Sequence, residues 1–281
     1  MKKSVEMKIY KPVAEKNQDK FLEIYNVETF RNNIKTLQFT NKSDDGNAGY
    51  RFIDNIIEVP DDKYKYNITH ELLHCATTII DGHAVHEGLM YADFKTGEIV
   101  GVCLNEGMTA KKDLELFGNY VEGKAENEED VYPFSKSVID YLEYVIPRHK
   151  IEEAYFNSDL SLIIESLDEI HHDTQKVFQF IRDLDFVFIY LDLTHESIPE
   201  EERKHFEKAW NNVQYFLAES LYISFNEYCK EGLIDEYELE EYIEECKAIL
   251  RSRIELNGEK ITKNKIRQLK KIEENYKNKY A

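Results

Sequence analysis

The sequence predicts an α+β fold that is mostly α, with a small β-sheet and one buried helix in residues 1–125 and a helical region in residues 126–281. Three observations lead there. Apolar residues recur three and four apart from Tyr132 onward, strand-like segments stand near residues 50–60 and 89–104, and the dense charge of "VEGKAENEED" separates the two parts as a solvated loop. A chain of 281 residues with 42% hydrophobic content is long enough to bury a sizeable core.

Each element has its own signal. Phe21, Leu22, Ile24 and Tyr25, then Phe30, Ile34 and Leu37, lie at helical spacing and predict two short helices ahead of the polar loop "NKSDDGNAG". "YRFIDNIIEVP" reads as one strand or a tight hairpin ending at Pro60. A helix over 67–81 follows, with Ile68, Leu72, Leu73, Ala76 and Ile79 available for packing and Gly82 as its carboxy-terminal cap. Extended residues Leu89–Phe94, a Lys95-Thr96-Gly97 turn and the apolar run Ile99–Leu104 lead to a helix capped by Asn105. "SVIDYLEYVI", "LSLIIESLDEI", "VFQFIRDLDFVFIYL", "FEKAWNNVQYFLAESLYISFNEY" and "LEEYIEECKAILRSRI" all keep the helical period. The locally basic tail carries Ile266, Leu269, Ile272 and Tyr276 on one side, which predicts a helix docked on the acidic body.

Composition excludes some partners. A net charge of -19 repels polyanions, so neither nucleic acid nor an anionic membrane surface is expected to bind. No stretch approaches the roughly 18 uncharged apolar residues needed to span a bilayer, and Glu6, Lys8 and Lys11 break the apolar run that a signal peptide requires. The expected location is therefore the cytoplasm. Cys75, Cys103, Cys229 and Cys246 show no CxxC pairing and are expected to be reduced, mostly buried side chains.

The chemistry concentrates in "NITHELLHCATT", which contains His-Glu-x-x-His. Residues four apart on a helix share one face, so His70 and His74 can reach one metal ion. Such nitrogen ligands suit zinc, and a catalytic zinc needs a third protein ligand and an open position for water. Glu71, next to the first histidine but pointing sideways, is placed as a general base towards that water. A chain of this composition contains roughly 0.04 such matches by chance, so context has to decide. That context is a second acidic motif, "LNEGMT", which offers Glu106 as third ligand in a His2Glu set.

The pair "HELLH" and "LNEGMT" resembles the gluzincin class of zinc metallopeptidases, and Asn-Glu-Gly-x-Thr after a hairpin is similar to uncharacterised zinc peptidases of low-GC Gram-positive bacteria. The resemblance covers about residues 50–120 and touches "YFNSDLSLIIESL". It implies a zincin-like core, a Zn2+ cofactor held by His70, His74 and Glu106, and Glu71 as catalytic base acting on a peptide or protein substrate. Two departures stand out. The gluzincin pattern places an acid four residues after the glutamate ligand to orient a zinc histidine, but that position is Ala110, which turns attention to Thr109 or to an acid elsewhere such as Asp113. The third histidine of the metzincin extension is absent, with Thr77 and Ile80 in its key positions.

Further candidates are His83 and His86 as a second His-x-x-His pair, and Tyr132, Tyr120, His149, His171 and His172 as stabilisers of a developing oxyanion, with Tyr132 named first. The strand "YRFIDNIIEVP" is the expected edge for an extended peptide. A zinc peptidase is the leading expectation; the alternatives are a degenerate zincin-like binding module and a helical regulatory or scaffold protein.

Overall fold

The computed structural model describes residues 28–41, 48–59, 68–117, 132–193, 198–252, 254–256, 259–261 and 266–280. The first of the two expected amino-terminal helices, the charged loop 121–130 and Tyr120 lie outside these residues. The second helix is α1 (Glu28–Thr36), which leads into β1 (Gln38–Asn41). "YRFIDNIIEVP" forms a hairpin of β2 (Gly49–Arg51) and β3 (Ile56–Val59). Its turn ends at Asn55, at φ +51, a left-handed conformation that asparagine tolerates. The Asn55 amide donates to Asn33 O (2.7 Å) and Thr36 Oγ1 (2.8 Å), tying the turn to the end of α1. The sheet order is β1-β3-β2, with β1 parallel and β2 antiparallel to β3. This corrects the expected docking edge: Ile56–Val59 is the central strand, paired on both sides, and only Gly49–Arg51 of that segment lies at an edge.

Helix α2 (Ile68–Ala76) is buried at all nine residues, as expected of a helix that is apolar on most of its surface. Ile68, Leu72, Leu73 and Ala76 join Phe30, Ile57 and Val59 in one core cluster. The helix stops at Ala76, five residues before the expected end, because Thr77-Thr78-Ile79-Ile80 is a β-branched run that favours a strand. The two threonine hydroxyls close the helix by donating to its last carbonyls, Thr77 Oγ1 to Leu73 O (3.0 Å) and Thr78 Oγ1 to His74 O (2.7 Å). Asn33 caps the same end, its amide reaching Cys75 O (2.8 Å) and Thr78 O (2.9 Å).

The chain then runs as an antiparallel meander of β4 (Thr78–Asp81), β5 (Ala84–Glu87), β6 (Met90–Asp93) and β7 (Glu98–Val100). Gly82, expected as a helix cap, is instead the first of two loop residues between β4 and β5, at φ +63, where a type II′ hairpin turn requires glycine. The Lys95-Thr96-Gly97 turn is as expected, held by the Asp93 carboxylate accepting from Lys95 N (2.7 Å). Helix α3 (Val102–Phe117) begins directly after Gly101, three residues earlier than expected.

The chain divides into two compact units, residues up to Lys136 with Glu152–Leu160, and Ser137–Ile151 with Ser161–Ala281. These two sheets, β1–β3 and β4–β7, and α1–α3 belong to the first; the boundary passes through α4 (Pro133–Glu143) and α5 (Arg148–Phe156). In the second unit, α6 (Leu160–His171) and α7 (Thr174–Phe188) precede a π-turn, Ile189–Leu193. Helix α8 (Glu200–Lys230), about 46 Å long, packs against α7, against α9 (Glu236–Arg251) and against α10 (Ile266–Tyr280). A capping box of Asp235 and Glu238 starts α9. A short hairpin, β8 (Ile254–Leu256) and β9 (Glu259–Ile261), separates α9 from α10 and was not foreseen. The tail docks as expected, with Leu269, Ile272 and Tyr276 buried. Among the described residues no helix is long and apolar enough to cross a membrane.

Candidate metal centre

Helix α2 presents His70 and His74 from one face, and α3 brings Glu106 against them. His70 Nε2 lies 3.1 Å from His74 Nε2 and 3.1 Å from Glu106 Oε2, and His74 Nε2 lies 3.5 Å from the same carboxylate oxygen. A tetrahedral ion bound at about 2.0–2.2 Å separates its ligand atoms by about 3.3–3.6 Å, so the three donors already stand close to the spacing they need. His70 is 8% and His74 4% exposed, while Glu106 is the more open of the three. His70, His74 and Glu106 thus form a group able to hold a metal ion.

Four residues of "NEGMT" have separate physical reasons. Asn105 is not the helix cap that the sequence predicts; its N–H donates to Gly101 O (2.9 Å) as the helix starts, and its side chain is buried. Gly101, at φ +84, opens the helix where a Cβ would meet Leu89 O at 2.1 Å. Glu106 projects to the histidines. Gly107 lets the start of α4 approach, since a Cβ there would lie 2.5 Å from Ser135 O. Thr109 Oγ1 hydrogen-bonds Tyr155 Oη (2.9 Å), so it is committed to packing α5 rather than to a site histidine.

The acid sought near Ala110 comes from elsewhere. Glu87, the last residue of β5 and 6% exposed, places Oε1 2.8 Å from His74 Nδ1. Asn105 donates from Nδ2 to the same oxygen (3.0 Å), and its Oδ1 accepts from Leu89 N (3.1 Å), which fixes the orientation of the amide. His74 Nδ1 and Asn105 Nδ2 both converge on Glu87 Oε1, which leaves His74 Nε2 facing His70 and Glu106. Glu87 escaped the sequence because the strand around it did. The usable signal was the alternation in "AVHE", which puts Val85 and Glu87 on the buried face of β5.

The electrostatics follow from burial and crowding. Burial pushes the Glu71 carboxyl up from its ordinary pKa; His70 and His74 oppose the rise, and Glu106 and Glu87 add to it. Burial resists protonation of His74, yet Glu106 and Glu87 outweigh it and hold the imidazole well above its usual range. Desolvation also raises Glu106, but His74 and His70 outweigh it and hold the carboxylate below its ordinary range.

No protein-family model, curated protein or solved structure matches the chain. The site's chemistry therefore rests on its own geometry. Tyr132 lies beside that site, its ring centroid 5.7 Å from that of His70, and it holds φ +53, an uncommon conformation for a bulky residue. The remaining candidates are placed elsewhere. His83 is largely exposed and 3.8 Å from Asp93, and His86 packs edge-on against Tyr91; neither joins the ligand group. His171 belongs to the other unit, its Nε2 2.8 Å from Ser220 Oγ, with burial and the neighbouring Lys176 and Lys279 pulling its pKa down to about 3. His149 and His172 also fall outside the ligand group.

Proposed function

We propose that this protein is a zinc-dependent metallopeptidase of the gluzincin type, with a zincin-like core formed by its first compact unit. The observation that carries the reading is the triangle of His70 Nε2, His74 Nε2 and Glu106 Oε2, with sides of 3.1, 3.1 and 3.5 Å, on helices that also present Glu71. Two neutral imidazoles and one carboxylate are a ligand set suited to catalytic zinc. When bound there, zinc supplies an acidified water and polarises a carbonyl.

The chain's own residues do the rest. Glu71, adjacent to His70 in α2, accepts the proton of the attacking water at its carboxylate and delivers it to the leaving nitrogen. Its raised pKa suits that double role, because a stronger base than an exposed carboxylate takes the proton and a weak acid returns it. Tyr132 donates its hydroxyl to the oxygen that becomes negative as the carbonyl is attacked. Glu71 favours turnover over a degenerate binding module, which needs no general base, whereas Glu87 beside His74 Nδ1 serves metal binding in either case.

Peptide hydrolysis by the purified protein is expected to disappear on removal of divalent ions with a chelator and to return with stoichiometric zinc. Cleavage that persists after complete chelation contradicts the reading. Tyr132→Phe is expected to lower kcat by about 10²-fold, the effect of losing one oxyanion donor, with zinc content unchanged. A kcat equal to that of the unaltered protein removes Tyr132 from the mechanism.

A further inference from the structure

The geometry points to Glu87, on the β-meander rather than on either ligand helix, as the positioning residue that fixes His74 for the ion. This rests on the metal-site reading above and adds a residue that neither motif contains. A buried carboxylate has to be satisfied by donors, and Glu87 takes two on one oxygen, His74 Nδ1 at 2.8 Å and Asn105 Nδ2 at 3.0 Å. The contact commits the proton of His74 to Nδ1, directs the Nε2 lone pair to the ligand group, and makes that nitrogen a better donor to a metal. Thr78 Oγ1, 3.4 Å from Glu87 Oε2, adds a longer contact from the strand that leaves α2.

The arrangement couples two similar tripeptides, His86-Glu87-Gly88 and Asn105-Glu106-Gly107. Asn105 holds the positioning acid while the next residue is itself a ligand, so one helix register sets both. Gly88 makes room for that junction, because a Cβ there would stand 2.2 Å from Asn105 Oδ1. A strand thus brings an acid to a site histidine, with Asn105 as the link, although the ligand helix carries Ala110. Ala110, at the vacated position, is buried.

Zinc dissociation constants measured by competition with a chromogenic chelator, and the visible spectrum of the Co2+-loaded protein, test this on the full chain. Glu87→Ala is expected to weaken zinc binding about 10–100-fold and to change the Co2+ spectrum. Glu87→Gln, which keeps an oxygen acceptor for Nδ1–H, is expected to lose less. Asn105→Ala is expected to weaken binding in the same direction. Circular dichroism and melting of the metal-free proteins separate this from simple misfolding, since a purely structural role lowers melting without changing the affinity of the folded protein. An unchanged zinc constant and Co2+ spectrum in Glu87→Ala overturn the proposal. If Glu87→Ala does not fold, an unchanged constant and spectrum in Glu87→Gln overturn it. Failure of the unaltered protein to bind either ion overturns instead the metal-site reading beneath it.

Discussion

Glu71→Gln is expected to reduce peptide hydrolysis by about 10²–10⁴-fold, the usual contribution of a positioned general base, while zinc content stays at the unaltered level. The side chain sits about 100° around α2 from His70, so it does not share the ligand face and its loss leaves the three donors in place. Glutamine has nearly the same shape, so the core cluster around α2 is undisturbed. The two effects of the substitution also run in opposite directions. Burial disfavours the charged form of Glu71, so a neutral amide is expected to leave melting unchanged or to raise it while turnover collapses. A variant that cleaves the same peptides at the same rate shows that the activity belongs to a contaminant or to another mechanism. Loss of activity accompanied by unfolding identifies a structural role instead.

Gly88→Ala is expected to destabilise the first compact unit by about 2–5 kcal/mol, the sum of left-handed strain at a non-glycine residue and overpacking. Gly88 holds φ +53, and a Cβ would meet Asn105 Oδ1 at 2.2 Å and the Tyr155 ring at 2.7 and 2.8 Å. The neighbours cannot retreat cheaply, since Asn105 holds Glu87 and Leu89 N, and Tyr155 is fully buried. Gly82→Ala provides the control. Gly82 also has positive φ, at +63, but nothing lies within 4 Å of its added Cβ, so only strain of about 1–2 kcal/mol is expected. Chemical denaturation of both variants measures the difference directly. Equal losses would mean that the junction of β5, α3 and α5 is looser than its distances indicate.

The three residues of the candidate metal group were legible because each carries a local signature. His70 and His74 follow from the four-residue spacing on a helix, and Glu106 from a short motif on the next one. The carboxy-terminal helices were legible for the same reason, since amphipathic periodicity depends only on neighbours along the chain. What failed were features decided by contacts distant in sequence. Ile79 fits the apolar period of α2 and also a strand; the β-branched run and the capping by Asn33, over forty residues earlier, settle it as β4. Asn105 looks like a helix cap because asparagine favours that position, but its partners are Glu87 and Leu89, and the helix starts earlier, at a glycine chosen by the approach of Leu89 O. Ala110 shows that the acid one turn along the ligand helix is missing but not where another stands; Glu87 comes from β5, and strand pairing leaves little trace in a four-residue segment. "YRFIDNIIEVP" was readable as a hairpin, but its place at the centre of the sheet depends on β1 pairing parallel to it.

The central claim, that His70, His74 and Glu106 bind one zinc ion, is tested most directly by elemental analysis of the purified protein after zinc loading and exhaustive dialysis. Near one zinc per chain is predicted for the unaltered protein, with most of it lost in Glu106→Ala while circular dichroism stays unchanged. A zinc-loaded, folded protein that retains no zinc contradicts the account, and so does a Glu106→Ala variant that retains as much as the unaltered chain.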